Sequence, residues 1–164
     1  MHRTLALLLL ASGCAPPLLD PGFEEHLDRT GGCADVVLFA VDSEDEVMLH
    51  LSTVEEGRVA ETTTAGTPQV YVFPLPSDEI VLEVRQGTQV SDATCDDVVE
   101  NAGPEVFRTW TAVAGKATLT LTPDGEIVTA DLVLMDVDFH DEDGNSVEVG
   151  SFSVHADAVG WYAG

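Results

Sequence analysis

Basic residues are scarce in this sequence: one lysine, Lys116, and five arginines stand against 30 acidic residues, for a formal net charge of −24 at pH 7. No stretch clusters Lys and Arg, which excludes nucleic acid and anionic lipid headgroups as direct partners, because both are recognised through grouped positive charge. Aromatic residues make up only 6% of the chain. Tyr71, Trp110, Trp161 and Tyr162 are candidates to line a glycan or peptide site, but their expected use is packing in the core or along an edge strand. Catalytic signatures are missing as well. There is no H-E-x-x-H, no G-x-S-x-G and no glycine-rich phosphate loop, and no C-x-x-C pair marks a redox site. The expectation is a protein that is not an enzyme. Repeats of solenoid period are also lacking.

The first apolar run, Leu5 to Ala11, follows His2-Arg3 and leads through Ser12-Gly13 to Cys14. It is too short for a spanning helix, which needs about 20 apolar residues. A basic start, a short apolar stretch and small residues before a cysteine describe an export signal. The segment Ala11-Ser12-Gly13-Cys14 resembles the lipobox of bacterial lipoproteins, with Ala11 where leucine is usual. That resemblance covers residues 1–14 alone. It implies cleavage before Cys14, lipid on Cys14, and attachment to the cell envelope; Ala15, rather than Asp, points to the outer membrane. The reading divides the chain into a signal peptide at 1–13, a lipidated tether at 14–32 and an acidic body at 33–164. Pro16-Pro17, Asp20-Pro21-Gly22 and Gly31-Gly32 punctuate the tether.

Three cysteines leave an odd one in an exported protein. With Cys14 lipidated, Cys33 and Cys95 remain as a pair, and an oxidising compartment lets their disulfide persist. The alternative, a reactive thiol, lacks a basic neighbour to lower its pKa. The surplus of acid either serves solubility or attracts cations and basic partners.

From Asp35 onward the hydrophobic pattern has the period of strands. Val36 to Val41 is a continuous apolar run, short enough for a strand covered on both faces. Val47, Leu49 and Leu51 alternate with Met48, His50 and Ser52. Ile80, Leu82 and Val84 alternate with Val81, Glu83 and Arg85. Ala117 to Thr122 alternates apolar residues with threonines. Residues 116–122, 126–140 and 146–157, joined by Pro123-Asp124-Gly125 and by 141–145, predict an antiparallel meander. Val147 and Val149 are out of phase with Phe152 and Val154, which predicts a β-bulge at Gly150. The expected helices are one turn within Glu24 to Leu27 and a short one within Asp92 to Asn101, with Val98 and Val99 packed inward. The fold class is all-β: an antiparallel β-sandwich of about eight strands in two sheets, with Greek-key order open.

One group of side chains invites a chemical role. Asp136, Asp138 and His140 share a strand face, Asp141 and Asp143 follow in the loop, and His155 lies beyond. Hard cations such as Ca²⁺ take several oxygen ligands. Residues two apart on a strand are nearly 7 Å apart, however, so one ion needs help from the loop. Aligning Gly144 with the glycine of an EF-hand puts Phe139 and Gly150 on ligand positions, and a solvated Asp-Gly hairpin tip explains the same residues. The functional expectation is an envelope-anchored surface structural or protein-interaction domain, attached to the membrane through lipid on Cys14. The alternative is a module that binds Ca²⁺ or a glycan through the acidic hairpin; a carboxylate-based hydrolase comes third.

Overall fold

A computed structural model describes residues 18–92, 94–95 and 103–161. The signal peptide expected at 1–13, Cys14, Val98, Val99 and Tyr162 lie outside the described residues, and so does most of the helix expected at 92–101. Among the described residues there are eight strands: β1 (Leu27–Cys33), β2 (Val37–Asp42), β3 (Val47–Thr53), β4 (Gln69–Pro74), β5 (Ile80–Thr88), β6 (Glu105–Asp124), β7 (Ile127–His140) and β8 (Ser146–Val159). Helix α1 (Arg58–Ala65) joins β3 to β4, and a 3₁₀ turn at Phe23–His26 precedes β1.

The all-β class therefore holds, with a different division of strands from the two sheets expected. Hydrogen bonding links them in one antiparallel sheet in the order β1-β2-β3-β5-β6-β7-β8, which follows the chain rather than a Greek key. β4 pairs with the C-terminal half of β6, while β5 pairs with its N-terminal half. The sheet curls until β1 meets the end of β8. The Ala34 amide donates to the Trp161 carbonyl at 2.7 Å, the Gly160 amide donates to the Ala34 carbonyl at 2.6 Å, and the Trp161 indole N–H donates to the Gly32 carbonyl. The result is a nearly closed barrel around a single large core.

The tether expected at 14–32 ends earlier than its glycines suggest. Leu19 and Phe23 are buried, and residues 27–33 form β1, paired with β2 along its length. Gly31 and Gly32 serve close approach rather than flexibility. A Cβ on Gly31 would stand 2.6 Å from the Phe39 ring, and one on Gly32 would meet Val159 and the Val37 carbonyl at 2.8 Å.

The β6-β7-β8 meander forms as expected, with β7 and β8 beginning within one residue of their predicted starts. The change of phase is also real. Inward residues run Trp110, Ala112, then Ala117, Leu119 on β6; Leu132, Leu134, then Val137, Phe139 on β7; and Val147, Val149, then Val154, Ala156 on β8. Yet the β7–β8 register does not slip at Gly150. The irregularities lie on β6, around Ala114, where Gly115 (φ +106°) faces Asp136 (φ +50°). One fault line thus crosses three strands and exchanges their inner and outer faces.

Both barrel ends carry an arginine over aromatic rings. Arg58 of α1 is buried, sits 4.5 Å from the Tyr71 ring centroid and 5.4 Å from that of Phe73, and pairs with Glu79. Asp35 holds the start of α1, accepting the amides of Gly57 at 2.7 Å, Arg58 at 3.0 Å and Val59 at 3.2 Å. At the other end Arg108 lies 5.8 Å from the Trp110 ring and pairs with Asp141.

The continuous apolar run in β2 is covered on both faces. Leu38 and Ala40 enter the main core, while Val41, Met48 and Val90 form a second cluster with Phe39 on the outer side. The chain after β5 makes this cover. Val90 and Ser91 donate to the Asp45 backbone and side chain, and the Cys33–Cys95 disulfide pins the segment to the end of β1.

Candidate functional site

Cross-strand pairing assembles a row of polar side chains on the outer surface of the sheet. His50 of β3 lies opposite Glu83 of β5, Glu83 opposite Thr111 of β6, Thr111 opposite His140 of β7, and His140 opposite Ser146 of β8. Directly opposed residues share a face, so alternation along each strand sends these five outward while Leu49, Leu82, Trp110 and Phe139 point inward. Arg85 and Thr109 form a parallel step one pleat away.

The β3 end of this row is buried and the β7 end is open. His50 is 8% exposed, with Nδ1 3.9 Å from Glu83 Oε1, beyond hydrogen-bond distance. The same carboxylate oxygen accepts from Arg85 Nε at 2.7 Å. Burial, and after it the Arg85 charge, pushes the His50 pKa down to about 4, so the ring is neutral at neutral pH. His50 and Thr111 are two strands apart, about 10 Å at the usual strand spacing. They do not form a base and nucleophile pair.

Past Glu83 the surface opens into a groove of about 530 Å³. Its wall is the outward face of β6: Phe107, Thr109, Thr111 and Val113, with His140 and Glu142 along the far side. Three of its apolar residues are open to solvent, Phe107 at 44%, Val106 at 40% and Val113 at 36% exposure. The irregular pairing at Gly87 brings Val106 and Phe107 to the rim together.

Asp141 shapes the neighbouring hairpin. Its side chain is buried, accepts the backbone amides of Asp143 and Asn145 and the Asn145 side-chain amide, and pairs with Arg108. Burial acts to raise its pKa. The Asn145 hydrogen bonds and Arg108 outweigh that, leaving the carboxyl below the ordinary aspartate range.

The residues expected to hold Ca²⁺ are separated by this arrangement. Asp141 and Asp143 share Arg108, the latter at 3.7 Å, while His140 faces the groove. Asp136 sits at the fault line and Asp138 opposite Glu148. His155 of β8 stands opposite Asp131, seven residues along β7 from Asp138, and pairs with Asp131 at 2.7 Å and Asp157 at 3.3 Å. The hydrogen bond to Asp131 is the main cause of its raised pKa. Among the described residues no group of three or more His, Cys, Asp or Glu is placed to hold a metal ion. The calcium expectation therefore rests on the sequence pattern alone.

Of the aromatics, Trp110 is buried in the core, and Trp161, 44% exposed, fastens the barrel seam. Tyr71 lies beneath Arg58. The groove residues Phe107, Thr109 and Thr111, with Glu83 and Arg85 beside them, were not singled out by sequence reasoning. Their outward parity is readable from alternation with Trp110 and Leu82, but the register that aligns four strands is not. No family model, no curated protein and no solved structure matches this chain.

Proposed function

We propose that this is an exported bacterial envelope lipoprotein, held by lipid on Cys14 at the outer membrane, whose body binds an envelope protein without chemistry on it. The observation that carries the binding role is the groove along β6, where Val106, Phe107 and Val113 stay open to solvent around a concave surface. Exposed apolar residues gathered at a concavity, rimmed by polar groups, are what interaction sites offer. The partner surface presents apolar side chains to Phe107 and Val113 and positive charge to Glu142 and the strongly acidic body. The disulfide supports export, since such bonds persist in oxidising compartments, and it accounts for both cysteines other than Cys14.

The test is site-specific photo-crosslinking in the producing cells, with the reactive group placed at Phe107, at Val113 and, as a distant control, at Val70 of β4. One discrete adduct from the first two positions and none from Val70 is the expected outcome. Equal labelling from all three, or from none, refutes the binding face. Metabolic incorporation of a fatty acid, lost in Cys14→Ser, tests the anchor separately.

A further inference from the structure

The chain enters the folded body beside the β6 groove. Leu19 is buried, Leu18 is 54% exposed, and both line a cavity of about 230 Å³ together with Val47 of β3 and Gln86 of β5. On the next strand Arg108 lies opposite Gln86 and Val106 opposite Gly87, whose amide donates to the Glu46 carbonyl at 2.8 Å. Antiparallel order gathers the starts of β1, β3, β6 and β8 and the ends of β2, β5 and β7 at this one end of the barrel. Phe107 therefore stands close to the point of entry. Opposed residues are about 5 Å apart and chain neighbours about 4 Å, which places Phe107 within about 20 Å of Leu18.

Only Ala15, Pro16 and Pro17 separate Leu18 from Cys14. That length of chain reaches at most about 14 Å, so lipid on Cys14 holds the groove within about 35 Å of the bilayer surface. The other end of the barrel is kept away from it. Val70 pairs with Thr120, and Thr120 lies on the order of 40 Å along β6 from Phe107 at the usual strand rise. The bilayer itself is a poor occupant of the groove. Glu105, Glu142 and Asp143 are exposed at this end, Asp20, Asp42 and Glu46 line the neighbouring cavity, and Arg108 is already paired with Asp141 and Asp143. Such an end repels anionic headgroups and attracts basic side chains.

We infer that the partner of the β6 groove is a protein embedded in the same membrane, met through a basic and apolar segment that stands within about 35 Å of the bilayer, which rests on the lipid at Cys14 and on the binding face proposed above. Anchor and groove then act together. Confinement by a short tether raises the effective concentration of the two molecules and multiplies their apparent affinity without any new contact.

The experiment uses the full chain with its own signal, a photo-reactive group at Phe107 and a protease cleavage site inserted between Pro16 and Pro17. After irradiation of the producing cells, the isolated membranes are treated with the protease, which cuts the body from its lipid, and are then washed with alkaline carbonate. The uncrosslinked body is expected in the wash and the Phe107 adduct in the pellet, because an embedded partner resists alkali. A chain exported without lipid, Cys14→Ser behind a signal lacking the lipobox, is expected to give at least about tenfold less adduct. Adduct released into the wash, or an unchanged yield without the lipid, overturns the inference while leaving the groove as a binding face. Adduct to lipid alone, or no adduct at Phe107, overturns the binding face and the inference with it.

Discussion

Gly115 is a point at which the fold has little freedom, and replacing it measures the fault line directly. Its φ of +106° is a conformation that side-chain-bearing residues avoid, at a cost of about 1–2 kcal/mol. A Cβ there would also stand 2.4 Å from the Asp136 carbonyl oxygen and 2.7 Å from the Val137 Cα. These are backbone atoms of a paired strand, so relief requires β6 and β7 to part. Overpacking of that kind costs about 1–3 kcal/mol. Gly115→Ala is therefore expected to lose about 4 kcal/mol in total, close to a 10–15 °C fall in Tm for a domain of this size. Gly125, at the β6–β7 turn, supplies the control: its φ is +65° and its missing Cβ would meet nothing within 4 Å. Gly125→Ala should lose only about 1 kcal/mol. The assay is equilibrium urea unfolding with the disulfide intact, comparing midpoints at unchanged slope. If the two variants agree within about 0.5 kcal/mol, Gly115 does not make the close contact, and the account of the fault line fails.

The Cys33–Cys95 bridge closes a loop with a sequence separation of 62, for which chain entropy gives about 4 kcal/mol. Cys33→Ser/Cys95→Ser should unfold at correspondingly lower denaturant, and an unchanged midpoint would sink the claim. His50 has a folded pKa of about 4 against an ordinary 6.5, so the unfolded chain binds more protons between those values. Its contribution is complete above pH 6.5 and is lost as pH falls toward 4, about 3 kcal/mol in all, and His50→Leu should flatten that slope. The exposed His155 runs the opposite way, with a raised pKa and a contribution present at low pH that fades as pH rises through it. NMR titration placing both histidines on the same side of 6.5 would contradict this pair of assignments. Asp35→Ala removes the acceptor for three amides at the start of α1 and should cost about 1–2 kcal/mol with faster amide exchange in the helix; unaltered exchange there would count against the cap.

The parts of the fold legible in advance are those where neighbouring residues carry the signal. Alternation located β7 and β8 closely, because an apolar residue at every second position is itself the reason a strand lies half-buried. The odd cysteine count singled out the pair that is bonded. Helix α1 was not legible: Thr62, Thr63 and Thr64 disfavour a helix, and the group that caps it, Asp35, is more than 20 residues away in sequence. β1 was mistaken for tether because Gly31 and Gly32 have the composition of a linker. Their role appears only once Phe39 and Val159 stand against them.

The candidate site divides in the same way. That His50, Glu83 and His140 face outward follows from strand periodicity alone. That they line up with Thr111 across four strands, beside a groove formed by Phe107 and Val113, depends on register, and register is set by bulges at Gly87 and Ala114 and by closure of the barrel. The amino-acid order by itself determined that this chain is an acidic, strand-built body with two cysteines suited to pairing. Which side chains meet was decided only by the tertiary structure, because a shift of one residue in any ladder would turn the outward row into the core.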